Sequence, residues 1–163
     1  MKIARSNCGS CSVNDRAIYI CGGISKSNQT LNAIEFYNIF HNTWEIINTK
    51  LPEKLYGPGA ISVKMDEILI IGGISKMNSA SNHVFSLNLN SFQWKNLSKL
   101  NKARQLNDKI FYIDGRLYVC GGSSDANDAE VLDRREQNPK WKLINGYEHI
   151  LQNQLFNWCA GFI

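Results

Sequence analysis

What this chain lacks narrows its reading before any motif is considered. It has no run of about 18 apolar residues, so no membrane-spanning helix is predicted. Its first residues, Met1 to Arg5, lead into Ser6, Asn7, Cys8 and Gly9 without the apolar core of a signal peptide. The formal charge of +4 is mild, and no basic run interleaves with aromatics, so nucleic acid is not an expected partner. There is no Gly-x-Gly-x-x-Gly followed by a helix, which excludes a nucleotide phosphate loop. Only one Cys-x-x-Cys occurs, Cys8 with Cys11, and a zinc site needs a second ligand pair at similar spacing. No metal and no cofactor are therefore expected. The five cysteines, an odd count without a leader segment, fit a reducing compartment, and the expected location is cytoplasmic. Two glycosylation-type triplets, at Asn28 and Asn96, are then chance matches. An apolar and aromatic content of 44% marks a globular chain rather than a disordered one.

What is present is a repeat. The stretch from Ile20 to Asn28 returns 50 residues later from Ile70 to Asn78, and a third copy opens at Tyr118. Each copy is an apolar run ending in two glycines: Gly22 and Gly23, Gly72 and Gly73, Gly121 and Gly122. Trp44 and Trp94 each lie 21 residues after the second glycine, and Trp141 lies 19 after it, so the third unit is two residues shorter. A period near 50 with this pattern points to a β-propeller built from repeated blades. Four short strands are expected per blade. The first strands fall at 9–13, 59–63 and 109–113, and the second at 17–21, 67–71 and 116–120. The third fall at 33–37, 83–87 and 129–133, and the fourth lie around the tryptophans. Turn residues agree: Asn14-Asp15, Met65-Asp66 and Asp114-Gly115 separate first from second strands. His41-Asn42 and Asn90-Ser91 separate third from fourth. The near-continuous apolar second strands suit burial on both faces between neighbouring blades. Cys11, Cys21 and Cys120 align with isoleucines of other copies and read as core thiols.

An apolar strand ending in Gly-Gly, then Tyr37, then Trp44 resembles the kelch repeat. The resemblance covers about residues 5–145 and is complete in the first copy. The second copy has Leu87 in place of the tyrosine, and the third is expected to have Asp133. The fold class is thus all-β: a partial propeller of three four-stranded antiparallel kelch-like blades plus the first strand of a fourth. Blade 1 spans about 5–50, blade 2 about 54–100, blade 3 about 103–145, and the partial blade about 155–163. The resemblance implies a protein-recognition role and a ring of more blades than three. Self-association through the open blade faces is then expected if the chain is complete.

Catalysis finds no support. His41, His83 and His149 fall at different positions of their units and would not converge. Some kelch-like propellers are enzymes, so a fragment of a propeller enzyme completed by other blades is the alternative. The expected function is a non-catalytic interaction module of scaffold or adaptor type. In an antiparallel pair the start of the first strand and the end of the second share one edge of the blade. Blade connections and post-glycine loops therefore share one rim, which in the kelch family is commonly the ligand face. The connections place Arg5, Asn7, Tyr56, Arg104 and Asn107 there, and the loops place Ser25, Lys26, Ser75, Lys76, Ser124 and Asp125. Its cations predict a protein partner with an acidic or phosphorylated segment.

Overall fold

The computed structural model describes residues 1–106, 109–123 and 128–145. The first unit contains β1 (Arg5–Ser6), β2 (Gly9–Val13), β3 (Ala17–Cys21), β4 (Ile24–Ser25), β5 (Ala33–Asn38) and β6 (Thr43–Lys50). The second contains β7 (Leu55–Tyr56), β8 (Gly59–Lys64), β9 (Glu67–Ile71), β10 (Ile74–Ser75), β11 (Val84–Asn88) and β12 (Trp94–Asn96). The third contains β13 (Ile110–Ile113), β14 (Arg116–Cys120), β15 (Asp128–Asp133) and β16 (Lys142–Asn145). Each unit forms one four-stranded antiparallel sheet, in the orders β2-β3-β5-β6, β8-β9-β11-β12 and β13-β14-β15-β16. The first strands β2, β8 and β13 neighbour one another across the blades. The partial fourth blade read at 155–163 lies outside the described residues.

Turn chemistry decides how each first hairpin is built. Asp114 and Gly115, at φ 48° and 75°, form a two-residue loop between Ile113 and Arg116, the mirror-image turn that matches strand twist. Asn14 and Asp15 also take positive φ, and Arg16 donates back to the Val13 carbonyl at 3.1 Å. Met65 and Asp66 avoid positive φ, which a methionine side chain disfavours. Their hairpin instead carries a register shift between Ser62 and Lys64.

Residues directly opposite on paired strands share a sheet face. Ile18, Tyr37 and Trp44 therefore lie on one face of blade 1, and Ile68, Leu87 and Trp94 on the same face of blade 2. In blade 3, Leu117 opposes Leu132, and Val131 opposes Lys142, so Trp141 falls just outside β16 beside Leu132. Leu132, and not Asp133, thus occupies the tyrosine position. The shortened third unit displaced that alignment by one residue, and a carboxylate would sit poorly on a covered face. We call this the leading face of each blade. The leading face of blade 2 packs on the opposite, trailing face of blade 1, bringing Ile68, Ile70, Phe85 and Leu87 against Val13, Cys21, Ile34 and Ile47. The leading face of blade 3 packs likewise on Val63, Leu69, Ile71 and Val84 of blade 2.

The tryptophans tie these contacts at the outer strands. The Trp94 indole N–H donates to Thr49 Oγ1 of blade 1 at 3.2 Å, and that of Trp141 to the Ser98 carbonyl of blade 2 at 2.9 Å. The double glycines tie them at the rim. Gly23 N donates to the Leu55 carbonyl at 2.8 Å and Gly73 N to the Arg104 carbonyl at 2.7 Å, each bond linking a blade to the segment entering the next. A Cβ on Gly22 would stand 2.4 Å from the Leu55 oxygen, and one on Gly72 2.5 Å from the Arg104 oxygen. Both glycines also hold φ near +60°, so only glycine fits.

Candidate interaction surface

The blade connections and the loops after the glycines meet at one end of the sheets. β1 pairs with β4, setting Arg5 opposite Ser25, and β7 pairs with β10, setting Leu55 opposite Ser75. The two loops are copies of one another. Ser25 N donates to the Gln29 carbonyl at 3.0 Å and Ser75 N to the Ser79 carbonyl at 2.9 Å. Asn28 and Asn78 turn back onto the Ser25 and Ser75 carbonyls at 2.9 Å, each with φ near 60°, a conformation asparagine tolerates better than most residues. Hydroxyl contacts brace the turns: Ser25 with Ser27 at 3.0 Å and Ser75 with Ser79 at 2.8 Å. Lys26 and Lys76 are left at equivalent tips, both exposed. The Tyr56 hydroxyl donates to Asn78 Oδ1 at 2.6 Å, which ties the connection to the loop. Residues 24–30 and 74–80 contain no carboxylate.

Two expected rim cations are not on the surface. Both Arg5 and Arg104 have fully buried side chains. Arg5 donates to Glu35 Oε1 at 2.7 Å and to the Gly22 and Ala33 carbonyls at 2.8 and 2.7 Å. Arg104 donates to Glu130 Oε1 at 3.0 Å, to the Gly121 carbonyl at 2.8 Å and to Asp128. The expectation that these arginines face a partner is corrected: they clamp the ends of β3 and β14 from inside their own blades. A buried arginine needs a buried carboxylate, and the third strand supplies it. Backbone amides complete each carboxylate shell. Lys2 and Ile3 donate to Glu35, and Asn101 and Lys102 to Glu130. Burial pushes the Glu35 and Asp128 carboxyls up, but the Lys2 and Ile3 amides with Arg5 outweigh it at Glu35, and the Lys102, Arg104 and Ser123 side chains outweigh it at Asp128, holding both below the usual carboxylate range. Blade 2 carries Leu55 and Phe85 at the same two positions, because Ile70 opposes Phe85 as Ile20 opposes Glu35 and Val119 opposes Glu130.

Of the other expected site residues, Asn7 is exposed, and Tyr56, Ser25 and Ser75 are half-buried. Asn107, Ser124 and Asp125 lie outside the described residues. His41 is exposed in its turn, while His83 pairs with Glu53 beside a cavity of about 350 Å³ that Phe85 and Leu97 also line. His149 lies outside the described residues. Among the described residues, no three histidine, cysteine or carboxylate side chains gather as a metal site. Cys21 is enclosed at the blade 1–blade 2 contact, where burial raises its thiol well above the ordinary range.

Four-stranded antiparallel blades, stacked face to face with their first strands adjacent, define an arc of a β-propeller. The model of the kelch motif matches residues 4–51, the whole of blade 1. The solved structure of YjhT superposes with a TM-score of 0.76 at 14% identity, over 87% of this chain and 52% of that one. Blade geometry and superposition agree on a β-propeller fold, and residues 4–51 carry a kelch motif. It spans about half the length of YjhT, and at this identity the likeness is one of fold. None of the curated protein sequences matches the chain.

Proposed function

We propose that the chain is a non-catalytic protein-interaction module that grips an acidic or phosphorylated segment of a partner protein with its glycine-loop rim. The observation that supports this reading is the duplicated loop. Two turns with matching backbone hydrogen bonds, 50 residues apart in sequence, hold Lys26 and Lys76 at matching tips with no carboxylate in either loop. Rigid, repeated cations on one surface raise local anion concentration and guide encounter. Asn7, Tyr56 and the loop serines add hydrogen-bonding groups beside them. With Arg5 and Arg104 buried, the lysines carry the electrostatic part of recognition.

The test is an array of acidic and phosphoserine peptides probed with wild type and with Lys26→Glu/Lys76→Glu. The double variant is expected to lose at least about tenfold in association rate at low salt, with an unchanged thermal midpoint because neither side chain is packed. Equal binding by both proteins would remove the rim as the binding face. Binding of an apolar or basic peptide class instead would overturn the chemistry assigned to the partner.

A further inference from the structure

The strongest unexplained feature is a pair of open faces. Among the described residues, no blade packs on the leading face of blade 1 or on the trailing face of blade 3; on the former only the entry segment of Lys2, Ile3 and Arg5 reaches Glu35. The leading face of blade 1 nevertheless has the composition of a covered one. Ile18 is half-buried where Ile68 and Leu117, in the same register, are 0% exposed. Met1 is 51% exposed, whereas Leu51 and Leu100, at the matching entry to blades 2 and 3, are 2% exposed. Leu51 and Leu100 each hydrogen-bond the preceding unit, through the Asn32 and Asn82 carbonyls at 2.9 Å. Ile39 is 44% exposed, while its counterpart Leu89 packs on the blade 1–blade 2 core.

The trailing face of blade 3 shows what would fit there. It carries Tyr118, Cys120 and Ile144 where the trailing face of blade 1 carries Tyr19, Cys21 and Ile47. In blade 1 those side chains are seated on a leading face, that of blade 2. The apolar centre of that face is repeated at the end of the arc, with Arg116, Asp133 and Lys142 added on the same face, and the described residues hold only one leading face without a blade on it to receive it. The blade-to-blade contact already made twice within the chain can therefore continue onto another chain.

We propose that a second copy of this chain closes the arc, the trailing face of blade 3 in each copy covering the leading face of blade 1 in the other. Such a pair has a two-fold axis along the propeller axis and uses one contact twice. Two copies also cover the span of the longer YjhT chain, of which one copy covers 52%. This inference is independent of the rim, because it uses the sheet faces and not the loops.

Sedimentation equilibrium of the full chain from about 1 to about 100 µM tests it. The expected mass is twice that of the 18.5 kDa chain. Ile18→Arg blocks the leading face and Val131→Arg the trailing face, and each alone is expected to be monomeric with a native far-UV spectrum. Mixed in equal amounts, the two variants regain dimers, because one of the two contacts is then intact. If Ile18→Arg loses the native spectrum, Ile39→Glu on the exposed edge replaces it, with dimer dissociation raised at least about tenfold. A wild-type monomer throughout would overturn the proposal and assign the faces to further blades of a longer chain or to another protein. Loss of the dimer in only one variant would also overturn it, since it implies like faces meeting. So would failure of the mixture to recover.

Discussion

Arg104 and Glu130 show how much a single position depends on its partner. Both side chains are fully buried, and the middle blade replaces the equivalent pair with Leu55 and Phe85. Arg104→Leu alone strands the Glu130 carboxylate and is expected to destabilise by about 3–5 kcal/mol. Arg104→Leu combined with Glu130→Phe copies blade 2 and is expected to recover most of that loss, to within about 1 kcal/mol of wild type. Urea denaturation of the four proteins of the cycle measures this, and an additive double variant would contradict the coupling. Two other arginine-bound carboxylates, Glu35 and Asp128, set a pH limit. Glu35 and Asp128 have folded-state pKa values below their unfolded ones, so their stabilisation is fully present above the unfolded values. It is lost as pH falls below the ordinary values, 4.5 for the glutamate and 3.8 for the aspartate, and through the depressed folded values. Thermal midpoints should therefore stay level from neutrality to near those values and drop below them. A midpoint that rises on acidification would contradict the sign. The sequence contained a signal for this site that the period alone hides. Arginine at 5 goes with glutamate at 35, leucine at 55 with phenylalanine at 85, and arginine at 104 with glutamate at 130. Charge occurs with charge and apolar with apolar, which marks contact between two positions of each repeat.

At the scale of strands and turns, the tryptophans separate covered blades from uncovered ones. Trp94 packs against the blade 1–blade 2 core, meets Phe85 edge-on at 6.3 Å and bonds Thr49 across the blade boundary. Trp94→Ala should cost on the order of 3–5 kcal/mol. Trp44 stands in the same register, and its ring meets Tyr37 of its own blade in a tilted contact at 5.2 Å. In the isolated chain Trp44→Ala should cost clearly less, and equal losses for the two would contradict the assignment of faces. The strands were legible because a 50-residue repeat averages out local ambiguity: the first and second strands of blade 1 follow the pattern residue for residue. The third blade was less legible. Its net loss of two residues conceals a shorter connection before the third strand and a longer one after it, so the alignment put Asp133 where Leu132 belongs, and a one-residue slip on a strand exchanges its two faces. The rim was legible as a place, since antiparallel pairing alone brings connections and loops together. The contents of the rim were not, because which way Arg5 and Arg104 point depends on carboxylates supplied two strands away.

For the molecule as a whole, burial is uneven in a way that follows from stacking. The central second strand, β9, has Ile68, Leu69, Ile70 and Ile71 all fully buried, because blades cover both of its faces. β3 and β14 have the same place in their blades but only one covered face each, and several of their residues stay partly exposed. In a repeat array each blade is stabilised by its neighbours, so the end blades open more readily than the middle one. Amide hydrogen exchange in dilute solution should therefore be slowest at residues 68–71 and faster at the matching amides of β3 and β14. If a second copy covers the open faces, protection of β3 and β14 should rise with protein concentration towards that of β9, while β9 changes little. Ile18→Arg and Val131→Arg should each abolish that rise in the isolated variant. Concentration-independent exchange with β3 and β14 as slow as β9 would mean that the end blades need no cover, and would remove the physical reason for a second copy to dock there.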